Sequence, residues 1–226
     1  MRRTKEEAAE TRRVILHSAE TLFLDNGYEN VTLQEIAVAA GVTRGAVHWH
    51  FKNKQGLLFA IRDEAQKPFR ELAERISQEH PPNPLELVTD TISAIFAEVQ
   101  QNPRKRGMLK VIMYLDMSFS DCDTDSGTCF RHEMQENFAK IFCSMSTAGA
   151  LPCPWTPDTA ASTLTAAIGG LVYEWSLDKG DFNLAPCGQA LIKMILSAWF
   201  PKHELHEMAA ATRDQDKLIE ITNHPL

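Results

Sequence analysis

The stretch Thr43-Arg44-Gly45-Ala46-Val47-His48-Trp49-His50, with Lys54 just after it, gathers hydroxyl, guanidinium, imidazole, indole and ammonium groups in one short segment. These groups suit nucleic acid. Arg44 can set a two-pronged fork on guanine O6 and N7. Gly45 has no Cβ, so the backbone can come close to a base edge. Thr32 and Thr43 begin helices, where a hydroxyl and free backbone N–H groups suit phosphate oxygens. His48, Trp49, His50 and Lys54 add donors and charge along the flanking backbone. Taken singly, Arg44 reads as a surface charge, Trp49 as a cap on a small core, and the histidines as ordinary surface residues. The ordered combination carries the reading.

Other chemistry finds little support. The segment His132-Glu133-Met134-Gln135-Glu136 begins like a zinc-protease helix but has Glu136 where the second His belongs. His203 and His206 have no third ligand evident. There is no phosphate-binding loop, dinucleotide fingerprint or nucleophile elbow. No catalytic residue, metal or cofactor is expected. The five cysteines, Cys122, Cys129, Cys143, Cys153 and Cys187, are odd in number and contain no CxxC pair, which weighs against a disulfide framework. Cys143 sits in an apolar stripe and reads as core. Cys122 and Cys129 flank an acidic loop with no basic neighbour to activate a thiol.

Helices must position these groups. Ile15, Ala19, Leu22 and Phe23 mark a first helix that Gly27 can end. Thr32 and Glu35 form a capping box for a second, with Ile36, Ala37 and Ala40 inward and Gly41 as the stop. Thr43 caps a third, short helix to about His50. Val42, Ala46 and Val47 face inward there, so Thr43, Arg44, Gly45, His48 and His50 face outward. Two short helices around a tight turn make a helix-turn-helix. Asn53 caps a long fourth helix whose apolar face stays in register across Pro68, so it reads as one kinked helix. After the break at 80–84, helices are expected from Leu85 to Asn102, over 104–119, around Met134–Met145, and over 157–179 and 186–200. Residues 201–226 read as a flexible tail. The expected organisation is all-α: a three-helix DNA-binding domain over 1–52, a helical ligand-binding and dimerisation domain over 53–200, and the tail.

The pattern from Gly27 to Leu58, G-Y-x-x-V-T-L-x-x-I-A-x-x-A-G-V-T-R-G-A-V-x-W-H-F-K-N-K-x-x-L-L, strongly resembles the DNA-binding domain of TetR-family transcriptional regulators. It looks most like the AcrR group, which represses multidrug efflux genes. The likeness is highly specific over residues 10–62 and weaker beyond, at Arg104-Lys105-Arg106 and at the Gly169-Gly170-Leu171 helix. It implies DNA contacts by Thr32, Thr43, Arg44, Gly45, His48, Trp49, His50 and Lys54. One departure is His48, where the family usually has Tyr.

The same resemblance implies a ligand held among the middle helices, at Phe96, Lys110, Met113, Tyr114, Met117 and Phe138. Met and Phe are abundant there, which suits a surface accepting several shapes. The helices over 157–179 and 186–200 read as an antiparallel pair in which Gly169 and Gly170 allow close backbone approach, and the resemblance implies a homodimer through Leu164, Ile168, Leu171, Trp175, Leu191, Ile195 and Trp199. A two-fold pair doubles the few bases that one short helix reads.

The charge is uneven. Residues 1–62 hold nine Lys/Arg against seven Asp/Glu, and the remainder fourteen against twenty-three. The net charge of −7 therefore hides a basic DNA-facing part. The acidic part suits a cationic compound. No apolar run reaches a membrane span or a signal peptide, so a cytoplasmic location is expected. The expected function is a ligand-responsive repressor that binds double-stranded operator DNA as a homodimer and leaves it on binding an apolar or amphipathic effector. The alternatives are a regulator of metabolic or stress genes without a drug ligand, and an architectural DNA-binding protein.

Overall fold

The computed structural model describes residues 4–118, 130–146, 151–177 and 181–200. Among them are nine helices and no strand: α1 Lys5–Asn26, α2 Leu33–Ala39, α3 Arg44–Phe51, α4 Lys54–Glu79, α5 Pro84–Gln101, α6 Pro103–Ser118, α7 Phe130–Ser146, α8 Pro157–Ser176 and α9 Leu184–Trp199. The expected tail, the acidic loop, Cys122, Cys129, His203 and His206 lie outside the described residues. None of the described helices is long and apolar enough to cross a membrane.

Short side chains start most of these helices. Thr4 and Glu7 cap α1 reciprocally, Thr32 and Glu35 cap α2, and Thr156 and Thr159 cap α8 with Pro157 in its first turn. Thr43 accepts from Ala46 N and Asn53 from Gly56 N. Asn102 ends α5, and its Oδ1 then accepts the backbone N–H of Arg104 at 3.0 Å and of Lys105 at 3.2 Å. One residue thus makes the sharp α5–α6 corner.

Two apolar cores result. The first joins Ile15, Ala19 and Phe23 of α1 to Ile36, Ala37, Val47 and Phe51. It does not stop at residue 52: Leu57, Ala60 and Ile61 of α4 belong to it, as do Met108 and Ile112 of α6. The second is built from Phe69, Leu72 and Ile76 of α4 with α5, α7, α8 and α9. Helix α4 contains Pro68 and continues through it, as its unbroken apolar register required.

Two expectations need correction. Cys143 is exposed on α7 because Ile141, Phe142 and Met145 take the inward positions. Gly169 and Gly170 meet no close neighbour within the protomer, since a Cβ at either would find open space. The tight helix approach is at Gly188 instead, where a Cβ would lie 2.3 Å from the Phe96 ring.

The glycine that most directly seats the recognition helix is Gly56. A Cβ there would sit 2.0 Å from the Phe51 carbonyl oxygen, a backbone atom that can move only if α3 moves. Gly56→Ala should therefore destabilise the protein by about 1–3 kcal/mol and weaken DNA binding beyond that loss. Thermal melts and gel shifts on the same variant check it, and an unchanged melt would mean α3 and α4 can separate freely.

Candidate nucleic-acid interface and internal cavity

The helix-turn-helix is assembled from local bonds. The Glu35 carboxylate accepts from the Thr32 backbone N–H at 2.8 Å and from its hydroxyl at 2.8 Å. Those bonds, the backbone one first, hold the Glu35 carboxyl below its ordinary range. The turn closes through Val42 N donating to Ala37 O at 3.0 Å, with Gly41 at φ 64. That left-handed conformation suits glycine. Val47 is wholly buried, and Val42 and Ala46 are half-buried, so α3 packs through its small apolar side.

The outer side of α3 exposes Thr43, Arg44, Gly45, His48 and Trp49 together. Trp49 is 73% exposed, with its ring edge-on to His50 at 4.5 Å between centroids. A large apolar ring left in water on a helix rimmed by Arg44 and Lys52 marks a binding surface. The His48 Nδ1 pairs with the Lys52 carbonyl oxygen, which fixes the ring plane of this exposed side chain. Thr32 is exposed at the start of α2.

Two of the expected residues stand apart. His50 is half-buried, with its ring 6.0 Å from that of Phe51. Lys54 is engaged inside the protein. Its Nζ donates to Tyr28 O at 2.8 Å and Glu29 O at 3.1 Å, and lies 4.5 Å from the Tyr28 ring centroid. The ammonium thus ties the α1–α2 turn to the start of α4. Burial, with the nearby Glu29 charge, pushes the Tyr28 hydroxyl above its ordinary range.

A cavity of about 1110 Å³ lies where the two cores meet. Its wall includes Leu16 of α1, Ile61 and Phe69 of α4, Phe96 of α5, Ile112 and Met113 of α6, and Thr165 of α8. Phe96 and Met113 are where the sequence placed them. Lys110 and Tyr114 are not, since both are exposed on the outer side of α6, Tyr114 at 68%. The inward set on α6 is Met108, Leu109, Ile112, Met113 and Asp116. The expected set is shifted by one residue, a rotation of about 100°. Phe138 is fully buried against Phe69, 5.7 Å between ring centroids, and belongs to the core behind the wall. The Met117 side chain lies outside the described ones. The contribution of α1 was missed, because its apolar stripe looks like any other core stripe in sequence.

Polar pairs surround the cavity. Arg104 of α6 donates to Glu20 Oε2 at 2.9 Å and to the His17 carbonyl at 2.7 Å, both on α1. Arg62 of α4 lies 2.6 Å from Asp116 of α6, a nearly buried ion pair, although its Nε and Nη2 lack well-directed hydrogen bonds. The short N–O distance makes it a charge contact above all. Gln66 Nε2 donates to Phe130 O at 2.6 Å. Away from the cavity wall, Arg70 bonds Glu133 at 2.6 Å and Asp63 at 2.7 Å. Burial opposes the Arg70 charge, but the two carboxylates outweigh it and raise its pKa.

The expected dimer residues divide by face. Leu164, Ile168, Trp175 and Trp199 are buried inside the protomer and have no surface to give a twin. Leu171, Leu191 and Ile195 are partly exposed. The open apolar surface at the end of α8 and on α9 is instead Leu177, Ala190 and Met194, with Met194 65% exposed, whereas the exposed Ala166, Gly170 and Tyr173 of α8 line the cavity.

The family model for bacterial regulatory proteins of the tetR family matches residues 15–61, and that for the C-terminal region of MAATS-type transcriptional repressors matches 83–200. The HTH-type transcriptional repressor BepR of Brucella suis is 32% identical over 206 residues, covering 88% of this chain and 96% of BepR. The HTH-type transcriptional regulator AcrR of Shigella flexneri is 28% identical over 206 residues, covering 88% of this chain and 93% of AcrR. SmeT, the repressor of the Stenotrophomonas maltophilia multidrug efflux pump SmeDEF, superposes with a TM-score of 0.69 at 26% identity, covering 83% of this chain and 89% of that one. In a complex with triclosan its TM-score is 0.71.

The different settings of Arg44 and Lys54 give different expected variants. Arg44→Ala should cost about 1–3 kcal/mol on the preferred DNA, relax sequence preference and leave the melting temperature unchanged. Lys54→Ala should weaken all sequences alike and also lower the melting temperature, by loosening the α1–α2 turn. Binding isotherms on two DNA sequences, with parallel melts, separate the two. Equal, sequence-independent losses would remove the base-reading role of Arg44.

Proposed function

Because the chain belongs to the TetR family of bacterial regulatory proteins, we propose that it represses multidrug efflux genes, binding operator DNA as a homodimer and leaving it when a small apolar or amphipathic compound enters the cavity. In this reading Thr32, Thr43, Arg44, Gly45, His48, Trp49, His50 and Lys54 meet the DNA, with Lys54 acting chiefly by holding its turn. Residues 1–52 form the reading head, 53–200 the ligand-binding and dimerising body, and 201–226 a tail. The protein works in the cytoplasm, where its operator is, and does no chemistry of its own. Kinship with SmeT, whose described target is an efflux pump, supports the choice of regulated genes.

The observation that carries the mechanism is the position of the cavity. Its walls include α1 and the first half of α4, which also belong to the core beneath the recognition helix. A compound entering there touches the DNA-binding unit directly. Paired recognition helices must match about one turn of DNA, so a few ångströms of displacement lose one half-site. The compound shifts the balance only by its difference in affinity for the two states, typically about 1–3 kcal/mol.

Reciprocity tests this. Operator DNA should weaken compound binding by the same factor that the compound weakens DNA binding. Calorimetry showing compound affinity unchanged by saturating operator would remove the coupling. The dimer has its own test, since the exposed apolar surface of α8 and α9 is the proposed seam. Met194→Glu should raise the dimer dissociation constant by on the order of a hundredfold, by burying an unpaired charge. Analytical ultracentrifugation reads this, and a monomeric wild type at micromolar concentration would defeat the proposal.

A further inference from the structure

We propose that Lys52 supplies a DNA-phosphate contact at the end of the recognition helix, and that the chain holds a strained backbone to present it. The inference rests on the DNA-binding reading above and adds a contact that the sequence pattern did not mark.

Lys52 follows the last residue of α3 and has φ 62 and ψ −57. Asn53 N donates across it to Phe51 O at 2.7 Å, which makes the strained form of the γ-turn. A side chain is rarely found in that conformation, and glycine would adopt it without cost. Three neighbours hold the turn. Lys52 N donates to His48 O at 2.8 Å, and the His48 Nδ1 donates to the Lys52 carbonyl oxygen. From the other side α4 closes on the Phe51 carbonyl at Gly56. None of these contacts uses the lysine side chain. Lys52 is exposed, with no ion pair or hydrogen bond to its ammonium among the described residues. A costly conformation that carries a side chain the protomer does not use points to a use outside it.

Duplex DNA supplies that use. Of the four Lys and Arg residues from Thr32 to Arg62, Arg62 is buried against Asp116, and Lys54 donates to the Tyr28 and Glu29 carbonyls. Arg44 and Lys52 are the two whose charge stays open to solvent. Arg44 and His48 lie four residues apart on the exposed side of α3, and the His48 ring bonds Lys52. The γ-turn thus extends that row past the end of the helix. Arg44 stands in the first turn, where base edges are read, and Lys52 lies beyond the last, where the helix leaves the groove and passes the phosphates. An ammonium on a flexible stem suits a phosphate oxygen as a point charge. Phosphates carry no sequence, so this contact strengthens binding to every duplex alike.

Salt titration of full-length variants tests the proposal, on a duplex from upstream of the chain's own gene and on a duplex of scrambled sequence. Lys52→Met keeps the strained backbone and removes the charge. It should weaken both duplexes by the same factor, about three- to tenfold at low salt, and flatten the slope of log K against log salt by about 0.9 per protomer. Lys52→Arg should keep the wild-type slope. Lys52→Gly should lose slope as Lys52→Met does, yet raise the melting temperature by about 2–4 °C, because glycine accepts a positive φ. Greater stability with weaker binding is a combination that a merely structural lysine would not give. An unchanged slope in Lys52→Met overturns the contact, as does a loss confined to the upstream duplex. A melting temperature that does not rise in Lys52→Gly overturns the strain. If wild type binds neither duplex, or binds both without salt dependence, the DNA-binding reading falls and the contact with it.

Discussion

The structure depends on one helix serving two cores. The first half of α4 contributes Leu57, Ala60 and Ile61 to the core under the recognition helix, and its second half contributes Phe69, Leu72 and Ile76 to the core of the larger domain. At 1.5 Å per residue its 26 residues reach about 39 Å. A helix resists compression, so a displacement at its far end must appear at its near end or as a bend between. Pro68 supplies the place for a bend, because it removes a backbone donor from the ladder. It also lies on the cavity wall. The weakest point of the shared helix is therefore the point that a bound compound would touch.

Much of this was legible from residues whose local chemistry admits one reading. Thr32 with Glu35, Thr43, Asn53 and Thr156 with Pro157 each start a helix where the side chain demands it. The recognition helix was legible because its inward side is small and apolar and its outward side polar. Rotation about a helix axis was less legible. In α6, apolar or Met residues occur at 108, 109, 111, 112, 113, 115 and 117, so periodicity alone does not fix which side meets the cavity. In α8 and α9 both sides are apolar, one for the protomer core and one open. Leu164, Ile168 and Trp175 form the stronger stripe and took the core, leaving the weaker stripe of Ala166, Gly170 and Tyr173 on the open cavity wall. The inward bonds of Lys54 were illegible for a related reason. Its partners are carbonyl oxygens of Tyr28 and Glu29, which every residue has and no sequence pattern marks.

The junction between the cores has a different physical character from the cores themselves. Apolar packing is tolerant of small shifts, whereas ion pairs and hydrogen bonds specify distance and direction. The cavity is bounded by such links: Arg104 to Glu20 and His17, Arg62 to Asp116, Gln66 to Phe130. A nearly buried pair such as Arg62–Asp116 gives little net stability, because desolvation offsets most of its attraction. Removing one partner costs far more. Links of that kind contribute less to holding the fold together than to fixing how α4, α6 and α7 sit against one another. A compound entering beside them need not unpack a hydrophobic core to change that arrangement. It has only to shift directional contacts whose net contribution is small, which lies within reach of the modest differential affinity that a small apolar ligand can supply.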